Sequence, residues 1–308
     1  MNGDRQDVDA EAVDEFNEST GSRYLLPVVL FGLTIFTTLW AGAYQDHPNL
    51  FHPFRGAWDL LTERPEELIN GIPFATTLLL ILVTHELAHF VASKQHRVPA
   101  SLPLFIPGLP LLVGTFGAII RVCGQIVERK ALFDIGISGP LAGFAVALVA
   151  LVVGLHWSTI EMGISPTSPF SVGRSVLINW CVSWVMGDLP RGANVNLHPI
   201  AEAAWFGLFV TCLNLIPIGQ LDGGHVAYAL WGGRQRTIAF GVIPILLLLG
   251  YVGWQGWWLW VLLSTLLGVG HPQIPDPTSP LGSTRVWLGR ATVILFILIF
   301  TPFPIVTR

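Results

Sequence analysis

The sequence has 308 residues, 52% of them hydrophobic and only 12% charged, with a mean hydropathy of +0.61; ordinary soluble domains carry roughly twice that charged fraction. Uncharged runs long enough to cross ~30 Å of hydrocarbon recur along the chain, which excludes both a soluble globule and a single membrane anchor. A net charge of −4 points to no nucleic-acid partner, and Cys123, Cys181 and Cys212 are too widely spaced to form a CxxC metal or redox pair.

Residues 1–23 hold seven acidic side chains against Arg5 and Arg23 and read as a disordered acidic tail. The tail lacks the basic n-region of a signal peptide and the Arg/Ser-rich make-up of a transit peptide, so it is expected to be retained. Residues 24–71 comprise a first span, Tyr24 to about Tyr44, and a polar connection punctuated by proline. A second span runs from Ile72 to about Ser93, and its strongly polar side chains are His85, Glu86 and His89.

Between Val98 and Ile120 the chain is uncharged but holds four prolines and three glycines, which argues against a straight helix and for a re-entrant or strand-like insertion. At membrane depth such backbone survives only where protein buries it or water lines it. A third span covers about Ile135 to Leu155, with Gly139 and Gly143 at a four-residue spacing that permits close helix packing. Phe170 to Gly187 is apolar enough to lie along a membrane surface.

A fourth span, from about Pro199 to Ile218, leads into Gly219-Gln220-Leu221-Asp222-Gly223-Gly224-His225. Thr237 to Gly270 is uncharged for 34 residues; one helix of that length would be ~51 Å long, so two shorter spans broken near Gly253 to Gly256 fit better. A last span, from about Val286 to Ile305, completes an all-α polytopic membrane protein of about seven transmembrane helices with one short re-entrant or strand-like segment. The loop holding His271-Pro272 and Asp276-Pro277 is read as remote from any site, and His96 and His198 are not read as ligands. With the N-terminus cytoplasmic, eleven Lys/Arg fall on that side and five on the other, the bias that cytoplasmic loops carry.

His85-Glu86-Leu87-Ala88-His89 is an HExxH sequence. On a helix, residues four apart share a face, so both imidazoles can reach one Zn²⁺, and Glu86 beside them can take a proton from water at the metal. A carboxylate in an otherwise apolar span costs on the order of 3 kcal/mol unless compensated, and a metal site supplies that compensation. Catalytic zinc takes three protein ligands, so a third must come from elsewhere. Asp222 is the choice, because it follows the fourth span at the same expected depth; His225 is its rival.

These motifs resemble those of the site-2 proteases, intramembrane zinc metalloproteases. HExxH stands at His85 to His89, and the family's N-x-x-P-x-x-x-L-D-G pattern is present as Asn214, Pro217, Leu221, Asp222 and Gly223, in the expected order. Gly114-Thr115-Phe116-Gly117 and Gly136-Ile137-Ser138-Gly139-Pro140 look similar to the family's membrane-embedded hairpin and third core helix. The resemblance is to a minimal form, without the PDZ or CBS domain that some members carry.

The resemblance implies a catalytic membrane core over residues 72–232, followed by C-terminal transmembrane helices over 233–308. It implies one zinc per chain held by His85, His89 and Asp222, with Glu86 as general base and Asn214 binding substrate or stabilising the oxyanion. The substrates it implies are single-pass or other transmembrane proteins, cut in or near their membrane helices within the lipid bilayer. The compact form points to a prokaryotic cell membrane. A transporter or channel would also bury ionisable groups among many spans, but it predicts transport without hydrolysis. A CAAX-type membrane zinc peptidase would share HExxH without needing the Asn214 to Gly223 pattern.

Overall fold

The computed structural model describes residues 20–46, 52–162, 170–190 and 192–307. The acidic tail, expected over residues 1–23, lies outside the described residues up to residue 19; helix α1, Thr20–Asp46, begins at its end. The proline-punctuated connection forms α2, Pro53–Glu63, and a 3₁₀ turn, Pro65–Gly71.

The centre of the molecule is built from helices packed on one another. Helix α3, Ile72–Gln95, starts with proline at its N-terminus, where no backbone N–H is needed. Helix α4 is Arg129–His156. Two further helices, α5 (Val176–Met186) and α6 (Pro199–Asn214), follow; α6 is capped by His198, whose ring accepts the Ile200 amide, with Pro199 in its first turn. Small residues set the helix contacts: a methyl on Gly143 would stand against His85, one on Gly154 against Ala201, and one on Gly207 against Ile81. Helix α4 therefore runs antiparallel to both α3 and α6. Behind this contact Leu151, Leu155, Trp205, Leu208 and Cys212 make a fully apolar cluster. Cys181 and Cys212 are buried free thiols.

The Pro/Gly-rich insertion forms a β-hairpin, β1 Leu104–Pro107 and β2 Thr115–Ile119, paired antiparallel with Leu104 opposite Ile119. Its turn packs on α1, where the Thr37 hydroxyl donates to the Gly114 carbonyl over 2.6 Å. Two smaller antiparallel pairs lie farther along the chain: β3 (Thr159–Met162) with β5 (Ala193–Asn196), and β4 (Phe170–Val172) with β6 (Ile305–Thr307).

After α6 come α7 (Asp222–Trp231), α8 (Arg234–Val252), α9 (Gly256–Leu266) and α10 (Ser283–Ile299). The apolar 34-residue run breaks between Val252 and Gly256, the place its glycines marked. About seven crossings were expected. Among the described residues, four helical segments are long and apolar enough to cross a membrane: Tyr24–Gln45, Pro65–Gln95, Arg129–His156 and Arg234–Val252. Helix α6, with 16 residues, falls short of the ~20 that span hydrocarbon. It is largely wrapped by protein, so its length is not set by lipid.

Candidate metal centre

HExxH lies on the last three turns of α3, and both of its histidines and Glu86 are buried, at 4%, 5% and 6% exposure. Asp222 is the first residue of α7. It arrives there because Pro217 ends α6 and Gly219 takes a left-handed φ of +55°, folding the chain back within a few residues. At a helix N-terminus the carboxylate also sits in a favourable dipole field.

The geometry is tight. His85 Nε2 is 3.3 Å from Asp222 Oδ2, His89 Nε2 is 3.3 Å from Asp222 Oδ1, and the two Nε2 atoms are 3.1 Å apart. His89 Nδ1 lies 2.7 Å from the Ile135 carbonyl, so it carries the proton and leaves the Nε2 lone pair facing inward. Converging lone pairs and a carboxylate in buried surroundings require a positive charge between them. One cation held by these three side chains satisfies that requirement, and the set leaves room in a tetrahedral shell for one non-protein ligand. Among the described residues this trio forms the one group of three His, Cys, Asp or Glu side chains close enough to hold a metal.

The other candidates separate clearly. Asn214 Nδ2 is 3.4 Å from His85 Nε2, which puts its amide at the edge of the site. The buried Glu86 carboxylate lies near the Ile120 backbone, just past β2. His225, the rival ligand, turns away and places Nδ1 2.7 Å from His271 Nε2. The loop read as remote thus reaches the wall behind Asp222, a contact with no sequence signal because 46 residues separate the two rings. His96 pairs with Asp134 over 2.8 Å, outside the donor set.

Gly139 and Gly143, expected to permit close helix packing, do so directly against the two histidines. They sit opposite His89 and His85 respectively, and a methyl on Gly139 would overlap His89 Nε2. The two glycines four apart on α4 meet two histidines four apart on its antiparallel neighbour α3.

The family model described as "Peptidase family M50" matches residues 73–251, more than half of the chain, with His85, Glu86, His89, Asn214 and Asp222 inside it. The chain belongs to peptidase family M50. This is the site-2 protease family, whose motifs the sequence displays. The M50 chain is 32% identical over 278 residues to the probable zinc metalloprotease EGY2, chloroplastic, of Arabidopsis thaliana, covering 89% of the chain and 48% of that protein. It is 31% identical over 317 residues to the probable zinc metalloprotease EGY1, chloroplastic, of Oryza sativa subsp. japonica, covering 95% and 52%. The chain spans about half the length of these curated relatives. The relatives are designated chloroplastic, which gives the expected prokaryotic membrane no support; the apolar helices and the family together make the protein an integral membrane protein.

Proposed function

We propose that this M50 chain is a zinc metalloendopeptidase that hydrolyses peptide bonds in or near the transmembrane helices of other membrane proteins. The observation that carries the reading is the convergence of His85, His89 and Asp222 on one point beside a buried Glu86, within an apolar helix of spanning length. A transporter would need no HExxH, and the family match disfavours it.

Zinc, one per chain, is the metal that this donor set and the relatives' names suggest. When bound there it supplies Lewis-acid polarisation of a carbonyl and lowers the pKa of water toward ~7. The chain's own residues then have separate tasks. Glu86 takes the proton of the attacking water and delivers it to the leaving amine. Asn214 Nδ2 donates toward the carbonyl oxygen as negative charge gathers on it. Gly139 and Gly143 keep the helix surface low enough for the imidazoles to stand between α3 and α4. A helical substrate hides its carbonyls in its own hydrogen bonds, so it must be drawn out locally. The free edge of the β2 hairpin, beside Glu86, offers an extended backbone partner for that state.

In this reading residues 72–232 form the catalytic core, residues 24–71 precede it, and residues 233–308 supply peripheral crossings. The shorter helices α6, α9 and α10 complete the set of about seven, and the N-terminus faces the cytoplasm or its equivalent compartment.

The test compares purified wild type and Glu86→Gln on a model single-pass peptide, with zinc measured in both. Zinc content is expected to be equal, while cleavage falls by at least ~100-fold. Undiminished cleavage by the Gln variant would remove Glu86 as the base.

A further inference from the structure

Three segments distant in sequence meet behind Asp222, and one buried amide joins them. Gln235, the second residue of α8, is 1% exposed. Its Nε2 donates to the Pro217 carbonyl over 3.1 Å and to the Val269 carbonyl over 3.3 Å, while its Oε1 accepts the His271 amide over 2.9 Å. The same Val269 carbonyl receives the Gly219 amide over 2.9 Å. Both donors of the amide and its acceptor are therefore in use, and every partner is main chain in the Asp222-bearing turn or in the 269–271 segment. The segment closes on the site through its side chain too: His271 Nε2 meets His225 Nδ1 at 2.7 Å, and its ring stacks on Tyr228 with centroids 4.6 Å apart.

We propose that Gln235 is a positioning residue for the metal centre, setting the height of the Pro217 to Asp222 turn and so the direction of the Asp222 carboxylate and the Asn214 amide. The inference rests on the metal-centre reading above. The turn transmits such a setting because it has no slack: a methyl on Gly223 would overlap the Leu215 carbonyl, and one on Gly224 the Gly219 carbonyl. A displacement of Pro217 passes to both ends of the turn.

Apolar packing holds the same region independently. Ile216 and Ile218 are buried against Ala239, Leu246, Trp257 and Val261. Losing the amide therefore leaves the helices assembled while the register of the turn loosens. Cavities of about 420 and 450 Å³ flank His271 and share Arg236 with it.

The experiment uses the zinc-loaded 308-residue chain in lipid nanodiscs, with Gln235→Met, which keeps length but has no hydrogen-bonding amide, and Gln235→Asn, which draws the amide back by one methylene. Zinc release to a chelator is expected to accelerate about 10- to 100-fold in Gln235→Met and by a smaller factor in Gln235→Asn. Cleavage of a transmembrane peptide should lose kcat by about tenfold or more, with KM within about twofold. The melting temperature of the metal-free variants should stay close to that of metal-free wild type. Unchanged zinc release in both variants would overturn the proposal. So would a loss of metal-free stability large enough to account for the faster release, which would make Gln235 an ordinary structural contact. Zinc release needs no cleavage, so a chain that holds zinc and cuts nothing would refute the peptidase reading without touching this one.

Discussion

Gly139 shows how much of this site is decided by the absence of a side chain. Ala is favoured over Gly in a helix interior by roughly 1 kcal/mol, so secondary structure alone predicts that Gly139→Ala stabilises α4. The structure predicts the opposite for metal binding, because the added methyl would overlap His89 Nε2. Gly139→Ala should lower zinc affinity by at least ~10-fold, read by chelator competition. Gly241→Ala in α8, where a methyl meets nothing within 4 Å, should leave affinity unchanged. At this scale the sequence was informative: identity and spacing singled out His85, His89 and Asp222, and the fold brings them together beside a buried Glu86. The glycines matter only in relation to a neighbouring helix, which the sequence does not specify.

Helices α3, α4 and α10 are joined at one end by a polar cluster that the proposed chemistry does not use. Arg285 holds both oxygens of Asp134 at 2.8 Å, and His96, directly after α3, approaches Oδ2 at 2.8 Å. Asp134 immediately precedes Ile135, whose carbonyl receives His89 Nδ1, so the clasp and the orientation of a ligand share one turn of α4. The groups are partly exposed, at 26% for Asp134 and 34% for Arg285, and solvent screening reduces their worth. Asp134→Asn keeps the shape and removes the charge; it should destabilise the protein by about 1–2 kcal/mol, measured as a lowered denaturation midpoint in detergent. The break between α8 and α9 and the β-hairpin were legible at this scale, because Gly and Pro interrupt otherwise apolar runs. The clasp was not, since 151 residues separate Arg285 from Asp134 and nothing local pairs them.

Across the whole molecule, hydropathy gave the membrane class; among the described residues four helical segments reach spanning length, and the other apolar helices are shorter. Helix α6 packs its apolar residues on α3 and α4, and a buried helix and a lipid-facing helix read alike in composition. The loop through His271 carries no local signal of its position: Gln235 and His225 bind it behind the site. What the fold accomplishes is to bring two imidazoles from α3 and a carboxylate from the start of α7 to one point inside an apolar core. Zinc K-edge X-ray absorption on the purified wild-type chain tests that convergence most directly. The account predicts about one zinc per chain with two imidazoles and only nitrogen and oxygen neighbours, at ~2.0–2.2 Å. A sulfur neighbour at ~2.3 Å, or a single imidazole, would contradict it.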